Sequence, residues 1–138
     1  MGTEETGSDL PLLVVDGANV VGSVPDGWWR DRHGAAERLR DALVTVAGQG
    51  LPDLPGPLDV VLVVEGAARG VPGRPEVRVV AAVGSGDDRI VELVRAARAE
   101  HPHRHCLVVT ADRELRARVG ALGAAVTGPR SVRPPDRP

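Results

Sequence analysis

The sequence predicts an α/β fold in which helices cover both faces of a central, mostly parallel sheet of about five strands. Two observations lead to this prediction. Runs of four or five apolar residues, rich in valine and leucine, recur along the chain, as is typical of strands buried on both faces. Segments with helical spacing of apolar residues separate most of these runs, a pattern typical of parallel sheets. The predicted order is β-α-β-β-α-β-α-β.

The five predicted strands cover residues 12–15, 60–64, 77–81, 106–109 and 124–127. Only residues 66–75 separate the second strand from the third, whereas a parallel crossover usually needs about a dozen residues. Either this connection is an irregular loop, or the third strand runs in another direction.

Apolar residues that recur every three or four positions predict three helices. The predicted helices cover residues 32–47, residues 86–101, and residues from Asp112 to Gly120 or Gly123. Glycines end the first helix, and the prolines at positions 52, 55 and 57 predict a rigid linker after it.

The length of 138 residues predicts one domain with a sizeable core. Residues 10–128 form this domain, residues 1–9 are expected to be a flexible leader, and the Pro/Arg-rich residues 129–138 a disordered tail. The chain has no apolar stretch of membrane-spanning length and no signal-peptide pattern, which predicts a cytoplasmic protein without a membrane partner.

The composition excludes several classes of site. All 17 basic residues are arginines, so the chain lacks the lysine of a P-loop or of a protein-kinase site. The single cysteine, Cys106, excludes a disulfide framework and is interpreted as a core residue. The net charge of −2 does not indicate general nucleic-acid affinity.

Acidic residues follow four of the predicted strands. Asp16 follows the first, Glu65 the second, Asp87 and Asp88 come soon after the third, and Asp112 follows the fourth. Open α/β sheets bind ligands at the carboxyl ends of their strands. Carboxylates that crowd together repel one another, so that one pKa rises or a cation neutralises them. The sequence therefore predicts a site for a hard divalent cation, Mg²⁺ or Mn²⁺.

Each of these acids also has a structural explanation. Asp112 precedes a helix and is a good N-cap. Asp87 and Asp88 lie in a first helical turn, where acids suit the helix dipole. For Glu65, metal ligation, a general-base role and plain surface charge all remain open. After Asp16, Asn19 can turn its amide back toward that carboxylate or a metal-bound water, or the segment can be an ordinary Asx turn.

Four segments of the sequence occur in the order and at the spacing of a known family. They are residues 16–22 (DGANVVG), the strand-end acid at 65, residues 86–92 (GDDRIVE), and residues 108–115 (VVTADREL) followed by Gly123 and Ala124. Together they resemble the YacP-like branch of the NYN domains, within the PIN-like nuclease superfamily. The resemblance covers roughly residues 11–128.

This resemblance implies a PIN-like three-layer α/β/α fold and metal-dependent hydrolysis of RNA phosphodiester bonds, the activity of an endoribonuclease. It implies that Asp16 and Asp112 are the main metal ligands. Asp88, with Asp87 beside it, would supply the further acids, and Asn19 would order the site.

The sequence departs from the family pattern at two positions. Glu65 stands where the family commonly has aspartate, and Ala18 stands where it often has an aromatic residue. The first departure puts the metal geometry in question and is compatible with a non-catalytic RNA- or ribosome-binding module of the same fold. A metal-dependent phosphohydrolase acting on nucleotides is a further alternative, and a deep closed pocket would favour it.

Binding of RNA would need cations around the acidic edge. Five arginines lie in segments next to the predicted strand ends, although each also suits a solvated surface: Arg30, Arg32, Arg69, Arg74 and Arg89. Trp28 and Trp29 follow the first strand, and at least one is expected to close the core while the other could stack on a base. Three histidines at positions 101, 103 and 105 are interpreted as part of a surface turn and not as a zinc site.

Overall fold

The structure, a computed structural model, describes residues 10–24 and 27–132. Its strands are β1 (Leu12–Asp16), β2 (Gly50–Leu51), β3 (Leu54–Pro55), β4 (Asp59–Val64), β5 (Val77–Ala81), β6 (Cys106–Val109) and β7 (Ala125–Thr127). Its α-helices are α1 (Gly17–Gly22), α2 (Arg32–Gln49), α3 (Gly86–Glu100) and α4 (Arg113–Ala121). Short 3₁₀ turns cover Trp28–Arg30, Gly66–Ala68 and Pro129–Ser131. Of the helices in this part of the chain, none is long and apolar enough to cross a membrane.

Five of the strands form one parallel sheet in the order β5-β4-β1-β6-β7. Within it, Val14 of the central strand β1 lies opposite Val61 of β4 and Val108 of β6. Because all five strands run the same way, their carboxyl ends meet at one edge of the sheet, here called the carboxyl edge. The predicted α/β class with a central parallel sheet of about five strands is confirmed.

Side chains of β1 alternate between the two faces of the sheet, as successive residues of any strand do. Leu13 packs with Leu43 of α2 in one apolar cluster, here called the α2-side cluster. Val14 packs in a second cluster with Ile90 of α3 and Leu115 of α4. All five side chains are fully buried. The sheet is therefore the middle of three layers, with α1 and α2 on one face and α3 and α4 on the other.

The short connection between β4 and β5 is an irregular loop, and the two strands are parallel. It begins with the 3₁₀ turn Gly66–Ala68, and both Ala68 and Val71 are buried in the α2-side cluster. These two side chains cover the sheet where a longer crossover would place a helix. The loop therefore returns the chain from the carboxyl edge to the opposite edge within the twelve residues 65–76.

Three segments differ from the sequence prediction. Residues 17–22, expected to be a loop, form α1, and the proline-rich linker contains the antiparallel hairpin of β2 and β3. The tail was expected to be disordered from residue 129. Instead, Pro129–Ser131 form a 3₁₀ turn, and Val132 is buried in the α2-side cluster. The prediction is wrong for these four residues, because Val132 gains burial in the core. The predicted leader and residues 133–138 lie outside the described residues.

Candidate active site at the carboxyl edge of the sheet

Four acidic residues lie at or just beyond the carboxyl ends of the strands. Asp16 ends β1, Glu65 follows β4, Asp87 lies in the first turn of α3, and Asp112 caps α4 directly after β6. We call these four residues the acidic rim. Asp16 and Asp87 belong to β1 and α3, whereas Glu65 and Asp112 each directly precede a helical segment.

Asp16 is the most buried member of the acidic rim, with 4% of its surface exposed. Burial raises the pKa of its carboxyl group to about 6. Hydrogen bonds from the Thr110 hydroxyl and the Asn19 backbone N–H oppose this rise, whereas the negative charges of Asp87 and Glu65 add to it. Removal from water and repulsion by like charges both favour the neutral acid. A cation beside Asp16 would reverse the effect of these charges.

Thr110 connects two members of the acidic rim. Its buried hydroxyl donates a hydrogen bond to Asp16 Oδ2 at 2.8 Å and accepts one from the Asp112 backbone N–H at 3.1 Å. Its carbonyl oxygen accepts a hydrogen bond from Arg116 Nε at 2.8 Å. Thr110 therefore fixes the end of β6 relative to β1. The sequence offered one signal for this role, a hydroxyl residue two positions before a helix-capping acid.

Asp112 and Asn19 also hold the loop between β6 and α4. Asp112 Oδ1 accepts a hydrogen bond from the Leu115 backbone N–H at 2.9 Å, which is an N-cap bond. Asn19 Oδ1 accepts one from the Ala111 backbone N–H at 2.9 Å. The backbone N–H of Asn19, and not its side chain, donates to Asp16. Asn19 thus ties α1 to the neighbouring loop. Of the alternatives that the sequence left open for Asn19, an amide turned back toward Asp16 is not the one observed.

Glu65 spans the gap between β4 and α3. Its Oε2 accepts a hydrogen bond from the Gly86 backbone N–H at 3.1 Å, at the first residue of α3. A free backbone N–H at a helix start favours a negative charge. The longer side chain of glutamate reaches this N–H across the edge of the sheet. Glu65 therefore positions the helix turn that carries Asp87.

Asp87 and Asp88 are neighbours in the sequence but have different surroundings. Burial raises the pKa of Asp87, and the charges of Asp112 and Glu65 raise it further. Asp88 has 69% of its side chain exposed and forms an ion pair of 3.1 Å with Arg118 of α4. The family resemblance implies that Asp88 is a metal ligand. In the structure, its carboxylate instead pairs with Arg118.

The chemistry of the acidic rim fits a hard divalent cation, because every candidate ligand atom is an oxygen. Among the described residues, however, no three Asp, Glu, His or Cys side chains converge closely enough to hold a metal ion by themselves. Mg²⁺ usually keeps several waters and binds through one or two carboxylates plus substrate phosphates. An open rim of this kind suits that mode of binding better than a closed protein cage.

The predicted arginines do not all lie near the acidic rim. The guanidinium groups of Arg30 and Arg32 lie over the rings of Trp29 and Trp28, at 5.7 and 5.4 Å from the ring centres. Arg69 donates a hydrogen bond of 3.5 Å to the carbonyl oxygen of Val83 in the loop after β5.

The other two predicted arginines are paired with acids. Arg89 pairs with Glu92 one turn along α3, at 3.2 Å. Arg74 pairs with Asp41 of α2 at 3.0 Å and forms a bridge with Val77 at the start of β5. Because β5 is parallel to its neighbours, its start lies at the edge opposite the acidic rim. The proposed contact of Arg74 with a substrate at the rim is therefore wrong.

Neither tryptophan is part of the buried core. Trp28 is partly buried beside Gly22 of α1, and Trp29 is 54% exposed. The expectation that at least one closes the core is not met, because α1 and the 3₁₀ turn hold both rings outside the sheet. Cys106 is buried in the core as expected, and burial raises the pKa of its thiol. His103 and His105 are exposed.

By its fold, the protein is a three-layer α/β/α domain around a parallel five-stranded sheet. Two solved structures of Rae1 (YacP) from Bacillus subtilis have this fold. One, of a tryptophan-to-leucine mutant, superposes with a TM-score of 0.71 at 19% sequence identity and covers 89% of this chain and 72% of that chain. The other superposes with a TM-score of 0.71 at 18% identity and covers 88% and 71%. No family model and no curated protein matches the sequence. The resemblance seen in the motifs is therefore confirmed at the level of the fold.

Proposed function

We propose that the protein is a metal-dependent endoribonuclease that hydrolyses RNA phosphodiester bonds at the acidic rim. The observation that supports this most is the meeting of four carboxylates at one edge of the sheet, where Thr110 ties Asp16 to Asp112 and Glu65 binds the turn that carries Asp87, so that like charges add to the rise in pKa that burial gives Asp16 and Asp87. Carboxylates that destabilise one another in this way favour a bound cation. The fold shared with Rae1 (YacP) from Bacillus subtilis is consistent with the proposal.

Each residue of the site has a distinct task in this proposal. Asp16 and Asp112 would hold one Mg²⁺ or Mn²⁺ ion, and Thr110 connects the Asp16 carboxylate to the backbone N–H of Asp112 through its hydrogen bonds. Asp87, positioned through Glu65 and Gly86, accepts the proton of the attacking water. Its raised pKa increases its strength as a base. Asn19 holds the loop before Asp112.

A divalent cation bound there would neutralise charge on the scissile phosphate and lower the pKa of a water molecule. Without the cation, the acidic rim repels the phosphates of RNA. Binding of RNA and its cleavage should therefore both depend on the metal. Arg32 lines a cleft together with Gly17 and Glu65, and its guanidinium can hold a neighbouring phosphate.

Cleavage of labelled single-stranded and structured RNA tests the proposal. Wild type, Asp112→Asn and Asp53→Asn are each compared in Mn²⁺, in Mg²⁺ and in EDTA. Asp53 is the matched control, because it is an exposed acid beside the β2–β3 hairpin and outside the rim. We expect wild type and Asp53→Asn to cut RNA only with metal, and a folded Asp112→Asn protein to lose at least about 100-fold in rate. Loss of a group that only supports a metal ligand already costs about 10- to 100-fold.

A second candidate function is a non-catalytic RNA- or ribosome-binding module. The observation that favours it is the lack, among residues 10–24 and 27–132, of three side chains that converge on a metal position. Such a module should bind RNA equally well in EDTA and in Mn²⁺ and should not cut it. Metal-independent binding without cleavage in the same experiment would replace the first proposal with this one.

A further inference from the structure

A small cleft opens beside the acidic rim on the α2 side of the sheet. Its volume is about 170 Å³, and it lies between α1, α2 and the Gly66–Ala68 turn. Sites for drug-sized ligands usually measure about 300–1,000 Å³. The cleft therefore has room for one flat ring system and not for a whole nucleotide.

The walls of the cleft combine flat and apolar surfaces. Trp28 and Arg32 both line it, with the Arg32 guanidinium 5.4 Å from the centre of the Trp28 ring. Val21 and Ala36 contribute apolar surface from α1 and α2. Unstacked bases of RNA bind by stacking on aromatic rings and on arginine planes. This cleft holds both groups, with the guanidinium over the face of the Trp28 ring.

Glu65 is the acidic residue among those that line the cleft. Its Oε2 accepts a hydrogen bond from Gly86, and Oε1 has no hydrogen-bond partner among the residues that the structure describes. An ionised carboxylate only accepts hydrogen bonds. Guanine presents two adjacent donors on its Watson–Crick edge, the ring N–H and the amino group. Uracil presents one N–H between two carbonyl oxygens, which a carboxylate repels.

We propose that this cleft binds a single unstacked base of the RNA and prefers guanine, with the base stacked beside Trp28 and its donor edge at Glu65. The inference rests on the proposed function for its choice of RNA as the ligand. The cleft and the acidic rim are adjacent, because Gly17 of the cleft follows Asp16 directly and Glu65 belongs to both. A base held there fixes which phosphate lies next to the rim.

Intrinsic fluorescence tests the inference without any cleavage. The chain has two tryptophans and no tyrosine, so Trp29→Leu leaves Trp28 as the only emitter and Trp28→Leu leaves Trp29. Each protein is titrated with GMP and with UMP in Mg²⁺. Both nucleotides carry the same phosphate, so their difference isolates the base. We expect saturable quenching in the Trp29→Leu protein, at least about fivefold tighter for GMP than for UMP. The Trp28→Leu protein should bind GMP at least about fivefold more weakly, as followed by competition with a labelled nucleotide.

Glu65→Gln separates base recognition from a structural role. The glutamine oxygen can still accept from Gly86, while its amide group presents donors to the cleft. We expect the preference for GMP over UMP to shrink at least about fivefold in Glu65→Gln combined with Trp29→Leu. A fluorescence response that is equal for both nucleotides, or that is absent from the folded Trp29→Leu protein, overturns the inference. Either result can occur with RNA cleavage intact, and guanine binding can occur without cleavage, so the two proposals fail separately.

Discussion

Asp87 and Asp88 have opposite surroundings, and this difference predicts different effects of two matched substitutions. Asp87 is coupled to Asp112 and Glu65, whereas Asp88 pairs with Arg118. We expect Asp87→Asn to lower kcat/KM for RNA at least about 100-fold, since loss of a group that only supports a metal ligand already costs about 10- to 100-fold. Asp88→Asn should change it only a few-fold, because it breaks a surface ion pair worth about 0–1 kcal/mol. Steady-state cleavage in Mn²⁺ measures both. A larger loss in Asp88→Asn would favour the ligand assignment that the family resemblance implies.

The buried carboxyl group of Asp16 predicts a pH dependence of stability. Its pKa is raised from 3.8 to about 6, so the folded protein binds a proton that the unfolded chain has released between these values. Stability therefore falls as the pH rises from about 4 to about 6, and this effect is complete above pH 6. The shift of about two pKa units corresponds to a loss on the order of 3 kcal/mol.

Asp16→Asn removes this titration. In EDTA, we expect the free energy of unfolding of Asp16→Asn relative to wild type to increase as the pH rises from about 4 to about 6 and then to level off. Urea unfolding of both proteins at a series of pH values measures the difference. A difference that stays constant over this range would show that Asp16 titrates at its ordinary pKa.

Gly17 determines how closely α1 packs on β4. A Cβ atom at this position would lie 2.6 Å from the backbone carbonyl oxygen of Val63. Neither α1 nor β4 can shift easily to relieve this contact, because Gly17 directly follows Asp16 and β4 is paired on both sides. We expect Gly17→Ala to reduce the free energy of unfolding by about 1–3 kcal/mol. Gly120→Ala is the matched control in α4, where a Cβ meets no atom within 4 Å. Its higher helix propensity should stabilise the protein by up to about 1 kcal/mol. Equal effects in thermal unfolding would contradict this account.

At the scale of helices and strands, the sequence predicted the elements whose apolar patterns are long enough to recognise. The five strands of the parallel sheet were predictable from their continuous apolar runs, and α2, α3 and α4 from apolar residues that recur with the helical period. Helix α1 was not, because its six residues give less than two turns of pattern and follow an Asp-Gly pair that is typical of loops. The bond of Thr110 to Asp16 was not predictable from the sequence, because it joins residues 94 positions apart.

At the scale of the whole molecule, the acids were predicted to meet because parallel strands end at one edge. The order of the strands was not predictable, since apolar strands of equal length fit several positions in a sheet. The sequence also placed Arg74 near the acidic rim, because it stands close to a strand in the chain. The structure places it at the start of β5, at the opposite edge. Closeness to a strand in the sequence does not distinguish its two ends, and the function of a parallel sheet depends on that distinction.

The crowded acids of the rim predict that divalent cations stabilise the folded protein as a whole. A ligand that binds only the folded state at 100 times its Kd adds about 2.7 kcal/mol to the free energy of unfolding. For a domain of this size, that addition raises Tm by roughly 10 °C. We expect such a rise on adding Mn²⁺ to protein prepared in EDTA, measured by calorimetry, with the same rise in Asp53→Asn.

Asp112→Asn should lose most of this rise in Tm. In EDTA, it should also have a higher Tm than wild type, because the substitution removes a charge that destabilises the ionised Asp87. An unchanged Tm of wild type in Mn²⁺ would show that the rim holds no cation without RNA, and an equal rise in Asp112→Asn would place the cation elsewhere.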